Sequence, residues 1–298
     1  MYRFWRLFAR LGRAQDPSAG VAFVTRALLV YGAVRSSLWT LVGAPLPPLL
    51  LWTATAGHLV ALALRWSKFA SFAVVLALVA GLLELFGVGV NADNHFALEL
   101  LALALLAGAA GGAGARGTDA LTETLGGLRA LVAVVLFHTG LAKIWTGLWD
   151  QGEFLAYMIG HGERFGVPFS WLVGAEQIAR LAAYDTLRSD VGPYLVPGVV
   201  LPLASMAVVA AELTLPLALM ATATRRFAIQ VSLVFVLCLQ VLAQEFGFAA
   251  LFSILLWSFG GNRAGARSLR RTTVIAVALL TLALWAMDAT GSFDRGNL

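Results

Sequence analysis

Charged residues are scarce in this sequence. Asp, Glu, Lys and Arg make up 12% of its 298 residues, hydrophobic residues make up 60%, and the mean hydropathy is +0.83. An ordinary soluble domain carries about a quarter charged residues, so that class is excluded. Polar, strand-patterned stretches of domain length are missing as well, and no separate soluble domain is expected. Cys238 is the one cysteine and lies in an apolar run. It excludes an intramolecular disulfide, a CxxC redox pair and a cysteine-based metal site. The four histidines, His58, His95, His138 and His161, show no HExxH or similar ligand spacing, so no metal is expected. GxGxxG after a strand, Walker A and GxSxG are absent too.

What is present is apolar and helical in rhythm, which predicts an all-α fold: a polytopic integral membrane helical bundle of about eight spans, with interfacial and re-entrant helices. Residues 1–15 read as an interfacial amphipathic helix, with Phe4, Leu7, Phe8 and Leu11 on one face and Arg3, Arg6, Arg10 and Arg13 on another. Residues 16–260 form the main transmembrane domain. Residues 261–298 add a basic loop and a final span.

Within the main domain the expected spans are 19–42, 48–64, 69–88, 95–108, 123–146 and 194–221. A glycine- and alanine-rich linker over 107–119 separates the fourth from the fifth. The aromatic stretch from Gly147 to Pro193 is expected at the interface. The 34 residues from Arg226 to Phe259 exceed the ~20 that one crossing needs, so a break and reversal are expected at Gln244–Gly247. The last span is 273–288.

The net charge is +5 and the pI near 9.9, but the basic residues sit in short inter-helix clusters. Membrane orientation explains them, and no nucleic-acid partner is expected. With the N-terminus inside, the inner segments hold Arg3, Arg6, Arg10, Arg13, Arg65, Lys68, Arg116, Arg225, Arg226, Arg263, Arg267, Arg270 and Arg271. The outer ones hold only Arg164, Arg180, Arg188 and Arg295.

Lys143 is the first functional candidate. An ammonium near the end of an apolar helix costs at least ~2.5 kcal/mol at membrane depth, so it faces a cavity or a partner unless its stem snorkels to the interface. His95 opens the fourth span, and in the expected topology it comes to the same outer face as Lys143. Asn91, His95 and Glu99 share one helical side, so Glu99 can orient His95. Gln240, Gln244 and Glu245 approach that face as well. Glu212 and Arg26 fall in the inner half and are expected to pair. His138 lies about 140° round the helix from Lys143 and is expected to pack.

The stretch Phe137-His138-Thr139-Gly140-Leu141-Ala142-Lys143, followed by Trp149 and Gly152, resembles the lysine motif of the vitamin K-dependent gamma-carboxylase and its bacterial relatives, the horizontally transferred transmembrane (HTTM) domain proteins. Asn94-His95 is similar to the family's Asn-His motif, and Asp16-Pro17-Ser18 leading to Arg26 to its first span. Glu212, Arg225, Gln244 and Phe246 resemble the later membrane segment. The chain departs from the pattern at Leu237-Cys238-Leu239-Gln240, where the family carries a further histidine, and at Gln151, where it usually carries an acidic residue.

The resemblance implies an HTTM-like protein of a bacterial cytoplasmic membrane performing quinol-dependent carboxylation or related lyase chemistry at the outer face. Lys143 and His95 are the catalytic residues it implies. Asn94, Glu99, Trp149, Gln240 and Gln244 would bind a reduced, vitamin K hydroquinone-like cofactor. The alternative is a non-catalytic membrane subunit that binds lipid, quinone or a partner protein in a larger complex.

Overall fold

In the computed structural model, the described residues are 17–42, 47–64, 69–88, 94–147, 149–160, 175–182, 198–242, 245–260 and 264–289, without some side chains at helix ends and over 110–118. The amphipathic segment over 1–15, most of 161–197 and the tail after 289 lie outside them, as do several expected loop features. The described elements are helical. Three helices are long and apolar enough to cross a membrane: Pro17–Leu41, Asp119–Thr146 and Val200–Met220. The chain divides into two compact units, 1–132 with 246–293, and 133–245 with 294–298.

The first unit is organised on α1 (Pro17–Val42), which touches α2 (Pro48–Leu64), α3 (Ala70–Val88), α9 (Phe246–Leu256) with its 3-10 turn Trp257–Phe259, and α10 (Ala264–Ala289). Proline in the first turn starts both α1 and α2, where its missing N–H costs nothing. α2 and α3 pack closely on each other, and so do α9 and α10. Every residue of α9 except Gly247 is buried, as expected of a helix that is apolar all round. Tyr31 stacks on Trp285 at 5.7 Å and Phe23 tilts against Trp257 at 5.0 Å, which fixes α1 to its neighbours. Arg129 donates from Nε to the Ser258 carbonyl at 2.5 Å.

The second unit holds the end of α4 (Asn94–Thr146), α5 (Glu153–Gly160), α6 (Ala175–Ala182), α7 (Val200–Met220) and α8 (Arg225–Leu242). Leu155, Ala156, Ile159 and Leu201 form its core with Trp149, Phe154, Tyr157, Ile178 and Ala204 around them. Side chains close the turn between α7 and α8. Arg225 donates to the carbonyls of Leu219 and Met220 at 2.9 and 3.0 Å, and Thr224 to that of Ala218 at 2.8 Å, satisfying acceptors that a helix end leaves free.

Two sequence expectations are corrected. The glycine- and alanine-rich segment is no linker, because α4 runs 53 residues straight through it. Alanine is the strongest helix former, the segment has no proline, and each glycine costs only about 1 kcal/mol. The last helix begins at Ala264, nine residues before the expected start, so the basic cluster is its first turns. The break after α8 falls where expected: α8 ends at Leu242 and α9 begins at Phe246.

Candidate functional site

Lys143 lies in the last turn of α4, which ends at Thr146 and passes into Gly147 with φ +70°. A left-handed glycine just past the last turn is the usual helix stop. α4 can meet α7 here because Gly140, one turn before the lysine, has no side chain. A Cβ at that position would stand 2.9 Å from Leu213 Cδ2 and 3.1 Å from Glu212 Cβ. The close approach sets Lys143 against Glu212, and Nζ donates to both carboxylate oxygens at 2.7 and 2.8 Å. The lysine side chain keeps 19% of its exposure. Nζ also lies 4.8 Å from the centre of the Trp149 ring, a cation–π distance. Trp149 in turn stacks on Phe154 at 4.8 Å.

A pocket of about 430 Å³ opens beside this pair. Lys143, Trp149 and Asp150 bring its polar groups, while Ile144, Met206, Val209, Ala210 and Leu213 supply apolar walls. An apolar cleft of this size with few convergent polar groups is the usual form of a small-molecule site.

Lys143 and Trp149 are thus the two sequence candidates that the structure brings together. Glu99 lies in the first unit, where Arg35 Nε donates to its Oε2 at 2.8 Å. Gln240 is buried on α8. Asn94 and His95 open α4, but their side chains lie outside the described residues, as does Gln244. α4 is unbroken from Asn94 to Thr146, so His95 in its first turn and Lys143 in its last stand at opposite ends of one helix, and the expectation that they share a cavity is corrected.

Sequence reasoning missed the lysine's partner. It paired Glu212 with Arg26, whereas Lys143 takes both Glu212 oxygens. One signal was available: Glu212 is the sole ionisable residue between 200 and 220, and Lys143 the sole one besides His138 between 130 and 146. Opposite charges isolated in apolar helices neutralise each other at least cost. Compared with known proteins, the chain matches no family model, no curated protein and no solved structure.

Proposed function

We propose that the protein is an integral membrane protein of the HTTM type whose Lys143 pocket receives the head of a reduced quinone. Its place would be a bacterial cytoplasmic membrane, with the N-terminus inside. About eight crossings are part of this proposal; the three long apolar helices and the shorter ones at 48–64, 71–85, 246–259 and 273–286 support seven of them, the stretch at 96–109 being the first part of the same unbroken α4 as Asp119–Thr146. The observation that carries the functional reading is that Lys143, paired with Glu212, lines an apolar pocket.

The pocket suits such a ligand in size and chemistry. Lys143 has three N–H groups, of which Glu212 takes two, leaving one for a head-group oxygen. Trp149 offers a ring face, and the aliphatic walls suit a tail. A reduced quinone would supply two electrons and weakly acidic hydroxyls. Glu212 Oε1, 2.7 Å from Nζ, can accept the lysine's proton. The amine then has the lone pair that a base requires.

A specific observation favours the second reading, a non-catalytic subunit that binds lipid, quinone or a partner protein. An ammonium held by both oxygens of one carboxylate has no lone pair, and that arrangement also serves a purely structural anchor. Organic extraction of the purified full-length protein, followed by mass spectrometry, tests the binding. Co-purified quinone that is lost from Lys143→Met supports the proposal. Protein that folds but retains no quinone, and takes none up from quinol-loaded nanodiscs, removes it. Quinol-dependent turnover abolished by Lys143→Met separates enzyme from subunit.

A further inference from the structure

Four helices of the first unit each send one ionisable side chain to one buried place: Arg35 from α1, His58 from α2, Glu84 from α3 and Glu99 from α4. None is more than 3% exposed. Arg35 divides its guanidinium between the carboxylates, Nη2 to Glu84 Oε2 at 2.6 Å and Nε to Glu99 Oε2 at 2.8 Å. It also lies over the Trp39 and Phe96 rings at 4.7 and 4.5 Å. Ser36 donates to Glu84 Oε1 at 2.5 Å and is linked through Thr55 to Thr40.

These bonds leave a definite remainder. Both His58 nitrogens and Glu99 Oε1 are buried without a hydrogen-bond partner. His58 Nε2 stands 3.5 Å from Glu84 Oε2. His58 Nδ1 and Glu99 Oε1 stand 2.8 and 2.9 Å from the position that a Cβ on Gly32 would take, so both border the room that the bare glycine leaves. The imidazole has Glu84 beside Nε2, while its Nδ1 and Glu99 Oε1 border one and the same space. A neutral ring offers one N–H and one lone pair; an imidazolium offers an N–H from each nitrogen, one toward Glu84 and one into the space that Glu99 borders. Charge leads to the same answer. With a neutral ring the four groups carry one net negative charge, with a protonated ring none, and uncompensated charge in an apolar interior is costly.

We infer that this cluster is a binding site for one exchangeable proton, carried by His58 between Glu84 and Glu99. The other ionisable groups near it are Arg35, which shares both carboxylates, and Tyr31, one turn away on α1. A metal ion is the poorer occupant: Arg35 already fills the space between the carboxylates, and no cluster of metal-ligating residues occurs among the described residues. α1 is long and apolar enough to cross a membrane, and buried His and Glu sets at that depth carry protons in pumps and transporters. The site is independent of the Lys143 pocket.

The test is nitrogen NMR of the full-length protein, labelled at histidine and held in nanodiscs at pH 7.5. An unperturbed histidine there is about one-tenth cationic. The other three signals are assigned by His95→Gln, His138→Gln and His161→Gln, which leaves His58 identified without altering it. The expected result is a cationic His58 in the native protein and a neutral one in Glu99→Gln, where a single carboxylate remains and the amide can donate to the ring. Glu84→Gln is the same test should Glu99→Gln fail to fold. A neutral His58 in the native protein, or a cationic one that survives removal of either carboxylate, overturns the inference.

Discussion

At the scale of single residues, buried ionisable groups among the described residues are met by opposite charge at two places. Arg35 with its two carboxylates and Lys143 with Glu212 are the two cases described most fully. Removing one member is therefore expected to cost far more than removing a surface charge. Arg35→Ala leaves two buried carboxylates facing each other, and a loss of about 3–5 kcal/mol is expected. Arg35→Ala with Glu84→Gln and Glu99→Gln should recover part of it. Thermal unfolding in detergent checks this; a triple variant no more stable than Arg35→Ala would show that unpaired charge is not the cause.

Glycine gives a second comparison at this scale. Gly147 and Gly152 both have φ near +70°, but only Gly152 is crowded, with backbone atoms of Leu201 and Pro202 within 2.8 Å of an added Cβ. Alanine at either position should cost about 1 kcal/mol for the left-handed backbone. Gly152→Ala should cost clearly more, because the loop would have to leave α7. Equal melting temperatures for the two variants would contradict the packing described.

At the scale of elements, the apolar runs made most helices legible. α2 matches its expected span residue for residue, and the break between α8 and α9 falls at the expected polar interruption. Boundaries set by composition alone misled: glycine and alanine between 107 and 119 suggested a linker, and basic residues before 273 suggested a loop. Neither composition forbids a helix, and neither stretch contains proline. Partners across helices were less legible than the elements. The four members of the His58 cluster lie on four helices, and only the fold brings them together. Continuity of α4 can be checked directly. Ala113→Pro removes a helical hydrogen bond and clashes with the preceding turn, so a loss of about 3 kcal/mol is expected. A change without effect on melting would indicate that this segment behaves as a linker after all.

At the scale of the whole molecule, the proposed orientation rests on charge asymmetry. The rule counts Lys and Arg in short loops and near the ends of spans; the expected topology assigned thirteen such residues to the inside against four outside, and twelve remain without Arg116, which lies within the continuous α4. The basic cluster at Arg263, Arg267, Arg270 and Arg271 weighs heavily in that count because it precedes the final apolar stretch at 273–286. In the proposed orientation these four positive charges stay on the inner side, as the rule favours. Replacing Gly265 by Cys in a Cys238→Ser background gives one reporter inside the cluster. An impermeant maleimide should fail to label it in intact spheroplasts and should label it in inverted vesicles. Labelling from the spheroplast side alone would place the cluster outside and reverse the orientation inferred from charge. Labelling from both sides would mean that the asymmetry does not fix a single orientation.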